Sequence, residues 1–453
     1  MGASTTHPRA TGRGGAILRE PHGTPASGER SAPQRGTVPV SVIRDVPLTD
    51  PHWQHWSHVT LHVGVQPLTV AIKPGVPGYA TPDTALAMLA EGVLREQAVS
   101  VLVLGPGNGL VPAAALAAGA RQLWVCDRYV PGAESARRTV ALQASAAETH
   151  VANAQAPSAD APPLGAALAA IRLPTDKLLL RQLLWAAAQH LRPGGRCLLA
   201  GANQEGAQSA AKLMANLFDG ATVATQHSAH RLLVGTRRAH LPDTPPWPEL
   251  LAHAAPTMAV PDGGGGTLTL DTAAGVFSWE HLDEATALLL DTMDIPAGSS
   301  VLDLGCGAGA LGLLAAHRHG AARVLLLDAD AEAVAAVQRT LARFALARHP
   351  LSACEARASD VTAAAGDETF DVVVTNPPFH LGKGTDYQLP AQFIAEAYQR
   401  LRPGGRLFLV ANRTLPYEDV ITHHFGGVRR LRETARFKVL GATRPPAVTD
   451  LRR

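Results

Sequence analysis

Short apolar runs alternate with longer amphipathic stretches along most of this chain. In its carboxy-terminal half a helical stretch at Asp283–Met293 precedes the apolar run Ser300–Leu304, and a glycine-rich loop and an Ala/Leu-rich helical stretch follow. A second run, Val324–Asp328, ends in an acid and leads into another helix. Then come Phe370–Thr375, a helix reaching Leu401, a Pro-Gly-Gly turn and the run Arg406–Ala411. Apolar runs this short, alternating with helical periodicity, predict strands buried on both faces. That order predicts an α/β fold with a mostly parallel, doubly wound sheet.

The pattern occurs twice. Gly75-Val76 and Gly275-Val276 open matching stretches, in which Asp83, Ala85 and Ala87 stand opposite Asp283, Ala285 and Ala287. Ser100–Gly109 lies over Ser300–Gly309 with seven of ten positions identical, and Leu191–Arg196 recurs as Leu401–Arg406. Three matches in the same order predict a tandem duplication of one Rossmann-like domain. Its boundary is expected in the Pro/Gly cluster at Pro242–Thr267. Residues 1–45 are rich in Gly, Pro, Ser, Thr and Arg without periodicity and are expected to be a disordered arm. The first copy is then expected over 46–245 and the second over 255–453.

Composition narrows the class. Of 453 residues, 46% are hydrophobic and 17% charged, which excludes a largely disordered chain. No apolar run approaches the roughly 18 residues of a membrane span. Cys126, Cys197, Cys306 and Cys354 lie far apart with no C-x-x-C pair, as expected of buried, reduced thiols in a cytoplasmic protein. His52, His55, His58 and His62, grouped around Trp53 and Trp56, fit no common metal spacing, so no metal is expected. The formal charge is only +2. Yet Val428–Arg453 carries Arg429, Arg430, Arg432, Arg436, Lys438, Arg444, Arg452 and Arg453 against Glu433 and Asp450. A local excess of that kind suggests an edge that faces a polyanion.

Two constellations carry chemistry. Gly305-Cys306-Gly307-Ala308-Gly309 sits between a strand and a helix, where glycines let the backbone approach a ligand and adopt positive φ. Asp328, at the end of the next strand, is placed to accept hydrogen bonds from ribose hydroxyls. Gly307-x-Gly309-x-x-Gly312 also satisfies the dinucleotide pattern, so the loop alone does not separate a nicotinamide from S-adenosylmethionine. Asp303, two residues before Gly305, suits a methionine ammonium, and Asp360, after a further strand, suits an adenine amino group. Both favour S-adenosylmethionine.

The second constellation is Asn376-Pro377-Pro378-Phe379-His380 after the strand Phe370–Thr375, at the edge where such sheets bind ligands. Asn376 offers a side-chain carbonyl, and Pro377, lacking an N–H, leaves a backbone carbonyl free. Two acceptors gripping an exocyclic amino group would aim its lone pair at a methyl sulfonium. Phe379 is suited to stacking on a base, worth roughly 1–3 kcal/mol.

Asn376–His380, Gly275–Ser278 with Asp283, and Asp303–Gly307 resemble the bacterial ribosomal RNA guanine-N2 methyltransferases, over about residues 60–440. In the first copy Leu173-Pro174-x-Asp176-Lys177 and Gly201–Gly206 are similar to the inactive half of that family. The resemblance implies two tandem methyltransferase-like domains, the first degenerate and the second catalytic. It implies S-adenosylmethionine as cofactor, with Asp303, Gly305, Gly307, Gly309, Asp328 and Asp360 binding it. Asn376, Pro377 and Phe379 would be catalytic, and Phe379, His380 and Phe277 would touch substrate. The implied substrate is a guanine of ribosomal RNA or a ribosomal subunit, the small 30S subunit favoured over the 50S, with the enzyme a monomer. The Asn-Pro-Pro-aromatic element also occurs in adenine-N6 and glutamine-N5 methyltransferases, and a non-catalytic RNA-binding scaffold stays open. The first copy departs from the pattern, with Val103 where the second has Asp303 and Ile171-Arg172-Leu173-Pro174 near the Asn-Pro-Pro-Phe position.

Overall fold

The computed structural model describes residues 42–43, 53–79, 81–345, 349–378, 380–381, 384–385 and 388–446. Two seven-stranded sheets are built alike. The first runs Glu148–Ala152, Gln122–Cys126, Ser100–Leu104, Ala166–Arg172, Leu191–Ala202, His230–Arg237, Phe218–His227 across its width. The second repeats that order as Cys354–Ala358, Arg323–Asp328, Ser300–Leu304, Phe370–Thr375, Leu401–Asn412, Phe437–Thr443, Arg429–Glu433. In each, the first five strands are parallel and the sixth runs antiparallel to both its neighbours. Val301, Leu302, Leu304, Leu325 and Val373 are fully or almost fully buried, because helices cover both faces and every side chain of a central strand meets apolar surface.

A two-stranded hairpin precedes each sheet, Ser57–Val63 with Gln66–Ile72 and Thr257–Pro261 with Thr267–Asp271. The two are anchored identically: Ala71 N donates to Thr139 Oγ1 at 2.9 Å, and Asp271 N to Thr340 Oγ1 at 2.7 Å. Val42–Ile43, inside the stretch expected to be an arm, pairs antiparallel with Ser57–Val63. The rest of 1–45 lies outside the described residues.

Two local expectations differ. The helix expected over Asp283–Met293 runs Glu284–Leu290, with Asp283 as its cap, accepting from Thr286 N. The Pro-Gly-Gly turn is instead a bulge inside the strand Leu401–Asn412. Leu401 pairs with Phe370 and Arg406 with Val372, so Arg402–Gly405 loop out, with Gly404 at φ 80°.

The copies meet through equivalent loops. Tyr129 and Asp330, which occupy the same place in each copy, form a β-bridge, flanked by Val130 N to Ala329 O and Ala331 N to Arg128 O, both 2.8 Å. The contact is therefore a local two-fold, as in an isologous dimer. Arg128 closes it with a buried bidentate pair to Asp330 at 2.7 and 2.5 Å. Among the described residues no helix is long and apolar enough to cross a membrane. All four cysteines are free.

Candidate active site

In the second sheet the chain departs in opposite directions after Ser300–Leu304 and Phe370–Thr375, which are neighbours. Such a switch point opens a crevice beyond the carboxyl ends of the strands. The glycine loop lines one side, with Gly305, Gly307 and Gly309 at φ of 75°, 52° and 84°. A Cβ on Gly305 would lie 2.9 Å from the Phe393 ring, so that glycine is required by packing, whereas beyond Gly307 there is open space.

Three acids surround the loop. Asp328 accepts from Gly307 N at 2.7 Å and from Asp330 N at 2.9 Å, so it shapes the turn as well as facing the crevice. Burial pushes its carboxyl up to about 6. Asp303 is fully buried, and one oxygen accepts from Gly312 N at 2.7 Å while Oδ1 has no partner. Burial, and behind it the nearby Asp328 charge, pushes Asp303 up to about 7. A buried, orphaned carboxylate oxygen costs free energy unless something positive meets it. Asp360 sits one turn beyond the strand Cys354–Ala358, but its carboxylate is already engaged: Trp53 Nε1 donates to Oδ1 at 3.1 Å and Lys73 Nζ to Oδ2 at 2.7 Å. Both donors come from the first copy. The next residue, Val361, has φ 50°, a left-handed conformation that β-branched residues rarely adopt.

Asn376 follows Thr375, whose hydroxyl is tied to Leu304 O at 2.7 Å. Its amide nitrogen donates to Asp283 Oδ2 at 3.1 Å and to Thr286 Oγ1 at 2.9 Å. A carboxylate only accepts, so Asp283 fixes which end of the amide is nitrogen and turns the carbonyl away from it. Asp283 and Thr286 are thus parts of the site that sequence reasoning missed as such, although Asp283 was visible as a repeated position. Thr286→Val should lower kcat about tenfold through a looser Asn376 amide while leaving S-adenosylmethionine affinity unchanged. Pro377 is buried. Phe277 is 62% exposed, beside Ser278, which adopts φ 53°. Phe379 and the His380 side chain lie outside the described residues; the His380 backbone pairs with Thr385.

The first copy shows what is missing from it. Strand register places Arg172 at the position of Asn376. Its guanidinium holds Glu205 at 2.8 and 3.0 Å, reaches Asp83 at 3.3 Å and caps Leu173 O at 2.8 Å. Asp83 and Leu173 match Asp283 and Pro377, so a cation fills the acceptor's place and occupies the neighbouring carbonyl. Asp127 repeats Asp328, accepting from Gly107 N at 2.7 Å, but Pro77 closes over the loop: Asn108 Nδ2 donates to Pro77 O at 2.8 Å, and a Cβ on Gly107 would meet the proline ring at 3.1 Å. With Val103 replacing Asp303, no acid waits for an ammonium there.

The basic carboxy-terminal run is mostly used internally. Arg430 pairs with Glu418 and Glu433, Lys438 is buried against Glu418, Arg436 pairs with Glu284, and Arg444 donates to the carbonyls of Tyr398, Gln399 and Leu401. Arg429 and Arg432 remain exposed on the edge strand. Arg452 and Arg453 lie outside the described residues.

A doubly wound sheet with this glycine loop, acids at the ends of adjacent strands and Asn-Pro-Pro at the switch point defines a Rossmann-like, S-adenosylmethionine-dependent methyltransferase. The cofactor suits the residues present: Asp303 Oδ1 lacks a partner, and Gly307 leaves open space. A family model described as "Methyltransferase small domain" matches residues 67–233 and 267–441. Ribosomal RNA small subunit methyltransferase C of Pseudomonas paraeruginosa is 36% identical over 289 residues, 62% of this chain and 81% of that protein. The protein of the same name from Actinobacillus succinogenes is 44% identical over 172 residues, 38% of this chain and half of that protein. The structure of the T. thermophilus 16S rRNA N2 G1207 methyltransferase in complex with AdoMet and guanosine matches with a TM-score of 0.70 and 29% identity, covering 86% of this chain and 98% of that one. The chain belongs to the methyltransferase small-domain family and, within it, to the bacterial ribosomal RNA small-subunit methyltransferase C group.

Proposed function

We infer that this chain transfers a methyl group from S-adenosylmethionine to the exocyclic N2 amino group of a guanine in 16S ribosomal RNA. The observation that carries this reading is the Asn376 amide, its nitrogen fixed by Asp283 and Thr286 so that its carbonyl, beside that of Pro377, is left for an amino group. The matched T. thermophilus structure, which holds AdoMet and guanosine, supports it.

Each residue has a stated task. Asp303 holds the cofactor ammonium, Asp328 the ribose hydroxyls and Asp360 the adenine amino group, while Gly305, Gly307 and Gly309 let the backbone pass close to the ligand. When bound, the cofactor supplies a methyl group on a sulfonium that departs as a neutral thioether. The guanine amino nitrogen is a weak nucleophile because its lone pair is delocalised into the ring. Accepting N2–H bonds at Asn376 and Pro377 favours a more pyramidal nitrogen and aims its lone pair. Such positioning is worth up to roughly 7–11 kcal/mol of barrier. Phe379 stacks on a guanine that is unpaired or flipped out, with Phe277 and His380 beside it.

The first copy, 46–245, serves as a scaffold and docking half, because Arg172 and Pro77 fill its counterpart sites. One chain contains both halves of the pseudo-dimer, so a cytoplasmic monomer without a metal suffices, acting on the 30S subunit. With labelled S-adenosylmethionine and unmodified 30S subunits, 50S subunits and their stripped RNAs, label should enter the 30S particle or its 16S RNA. Label confined to 50S material would overturn the substrate assignment.

Asp303 makes cofactor binding depend on pH. Its folded carboxyl, raised to about 7 from 3.8, is largely protonated below that pH. The ammonium requires the carboxylate, so affinity should rise as pH climbs through about 7 and level off above it. The same shift costs the ligand-free chain stability as pH rises from 3.8 to about 7, because over that range the unfolded carboxyl is ionised while the folded one still holds its proton. Titration calorimetry at pH 6 and pH 8 checks this, and Asp303→Asn should weaken binding and flatten the pH profile.

A further inference from the structure

Lys73 belongs to the half of the chain that carries out no chemistry, yet it is 1% exposed and its Nζ is fully committed. It meets Asp360 Oδ2 at 2.7 Å, Trp53 O at 3.1 Å and Pro74 O at 3.2 Å, using all three donors of an ammonium. The Trp53 ring lies 4.8 Å from it, and Trp53 Nε1 takes the other Asp360 oxygen. Trp53 itself is buried among Leu302, Leu304, Leu327, Val361 and Phe393 of the second copy. Ser359, beside Asp360, donates its N–H to Asp328 O at 2.8 Å and its hydroxyl to Val361 O at 2.9 Å, so the segment that carries Asp360 is joined to the ribose acid.

The contact is one-sided. The seam at Tyr129 and Asp330 obeys a local two-fold, so a contact from the first copy to the second has a counterpart position in the reverse direction. Strand register places Gln155 opposite Asp360, and the repeat offset places Ala273 opposite Lys73. Neither can form the ion pair. The buried cation therefore exists only toward the copy whose crevice is open.

We propose that Lys73, with Trp53, is a positioning residue of the cofactor site on the other copy: it fixes the Asp360 carboxylate so that its remaining lone pairs face the adenine amino group. The buried ammonium holds one carboxylate oxygen and the indole N–H the other, so both are oriented. The cofactor's base is then read by a carboxylate that cannot rotate. This proposal rests on the adenine reading of Asp360, and one experiment separates the two.

The full chain is titrated with S-adenosylhomocysteine and with its analogue lacking the adenine amino group. The unaltered chain should prefer the amino-bearing ligand about tenfold, as a hydrogen bond to a charged acceptor implies. Lys73→Met should erase most of that preference while weakening the analogue less than about twofold, and Lys73→Arg should restore part of it. Trp53→Phe keeps the ring but removes the donor, and should lower the preference in the same direction. It decides the matter if Lys73→Met does not fold. Equal weakening of both ligands by Lys73→Met, or an unchanged preference in Trp53→Phe when Lys73→Met is unfolded, would mean that the contact only holds the copies together. If Asp360→Asn leaves the preference intact, the adenine reading itself fails. If Asp360→Asn removes the preference but the Lys73 and Trp53 variants keep it, only the positioning role fails.

Discussion

Asn376→Ala should reduce methyl transfer by at least about 10³-fold while S-adenosylmethionine still binds with near-normal affinity. The substitution removes the side-chain carbonyl proposed to hold the amino group and leaves the glycine loop, Asp303 and Asp328 untouched. It also frees Asp283 and Thr286 of a partner, but both keep their helix-cap bond, since Thr286 N donates to Asp283 at 2.9 Å. The fold therefore loses little. Asn376→Asp separates shape from charge, because a carboxylate there would face Asp283 and be repelled. Single-turnover rates beside cofactor affinity check the prediction, and near-normal turnover by Asn376→Ala would refute the role given to this residue.

The second large effect is expected at Asp328. Asp328→Ala removes the proposed ribose acceptor and also orphans the N–H groups of Gly307 and Asp330. Each buried donor left unpaired costs about 1–3 kcal/mol. Affinity for S-adenosylmethionine should fall about 100-fold or more, and the melting temperature of the ligand-free chain should drop too. Asp328→Asn keeps one acceptor oxygen, enough for one of the two turn bonds, and should recover part of the thermal stability but little of the affinity. Cofactor binding unchanged in Asp328→Ala would show that the ribose is held elsewhere.

Much of this was legible in the sequence for a physical reason. Central strands such as Ser300–Leu304 and Phe370–Thr375 are buried on both faces, so their residues are apolar without alternation and their ends coincide with glycine or Asn-Pro. Asp303 interrupts such a run and is fully buried, which marks it for chemistry. The duplication was legible because both copies kept their turns, Asp127 and Asp328 still holding the same loop amide.

Contacts between the copies were not legible. Trp53 and Asp360 are 307 positions apart, and periodicity records which face of an element is covered, never what covers it. Trp53, which in the sequence stands only among a group of histidines, is an anchor in the other domain. Ile171–Pro174 could be placed near the Asn-Pro-Pro-Phe position from sequence, but only strand register sets Arg172 over Asn376. The carboxy-terminal arginines misled for a related reason: charge counts do not show that Glu284 and Glu418, distant in sequence, already meet Arg436, Arg430 and Lys438. The Asp283 and Thr286 contacts to Asn376 likewise join an early helix cap to a late strand end.

Nucleoside analysis of methylated RNA identifies the accepting atom directly. Unmodified 30S subunits are incubated with the chain and labelled S-adenosylmethionine, and the RNA is digested to nucleosides and resolved by mass. Label is expected in N2-methylguanosine and should be lost with Asn376→Ala. Label in N6-methyladenosine, or N2-methylguanosine formed undiminished by the Asn376→Ala chain, would contradict that expectation.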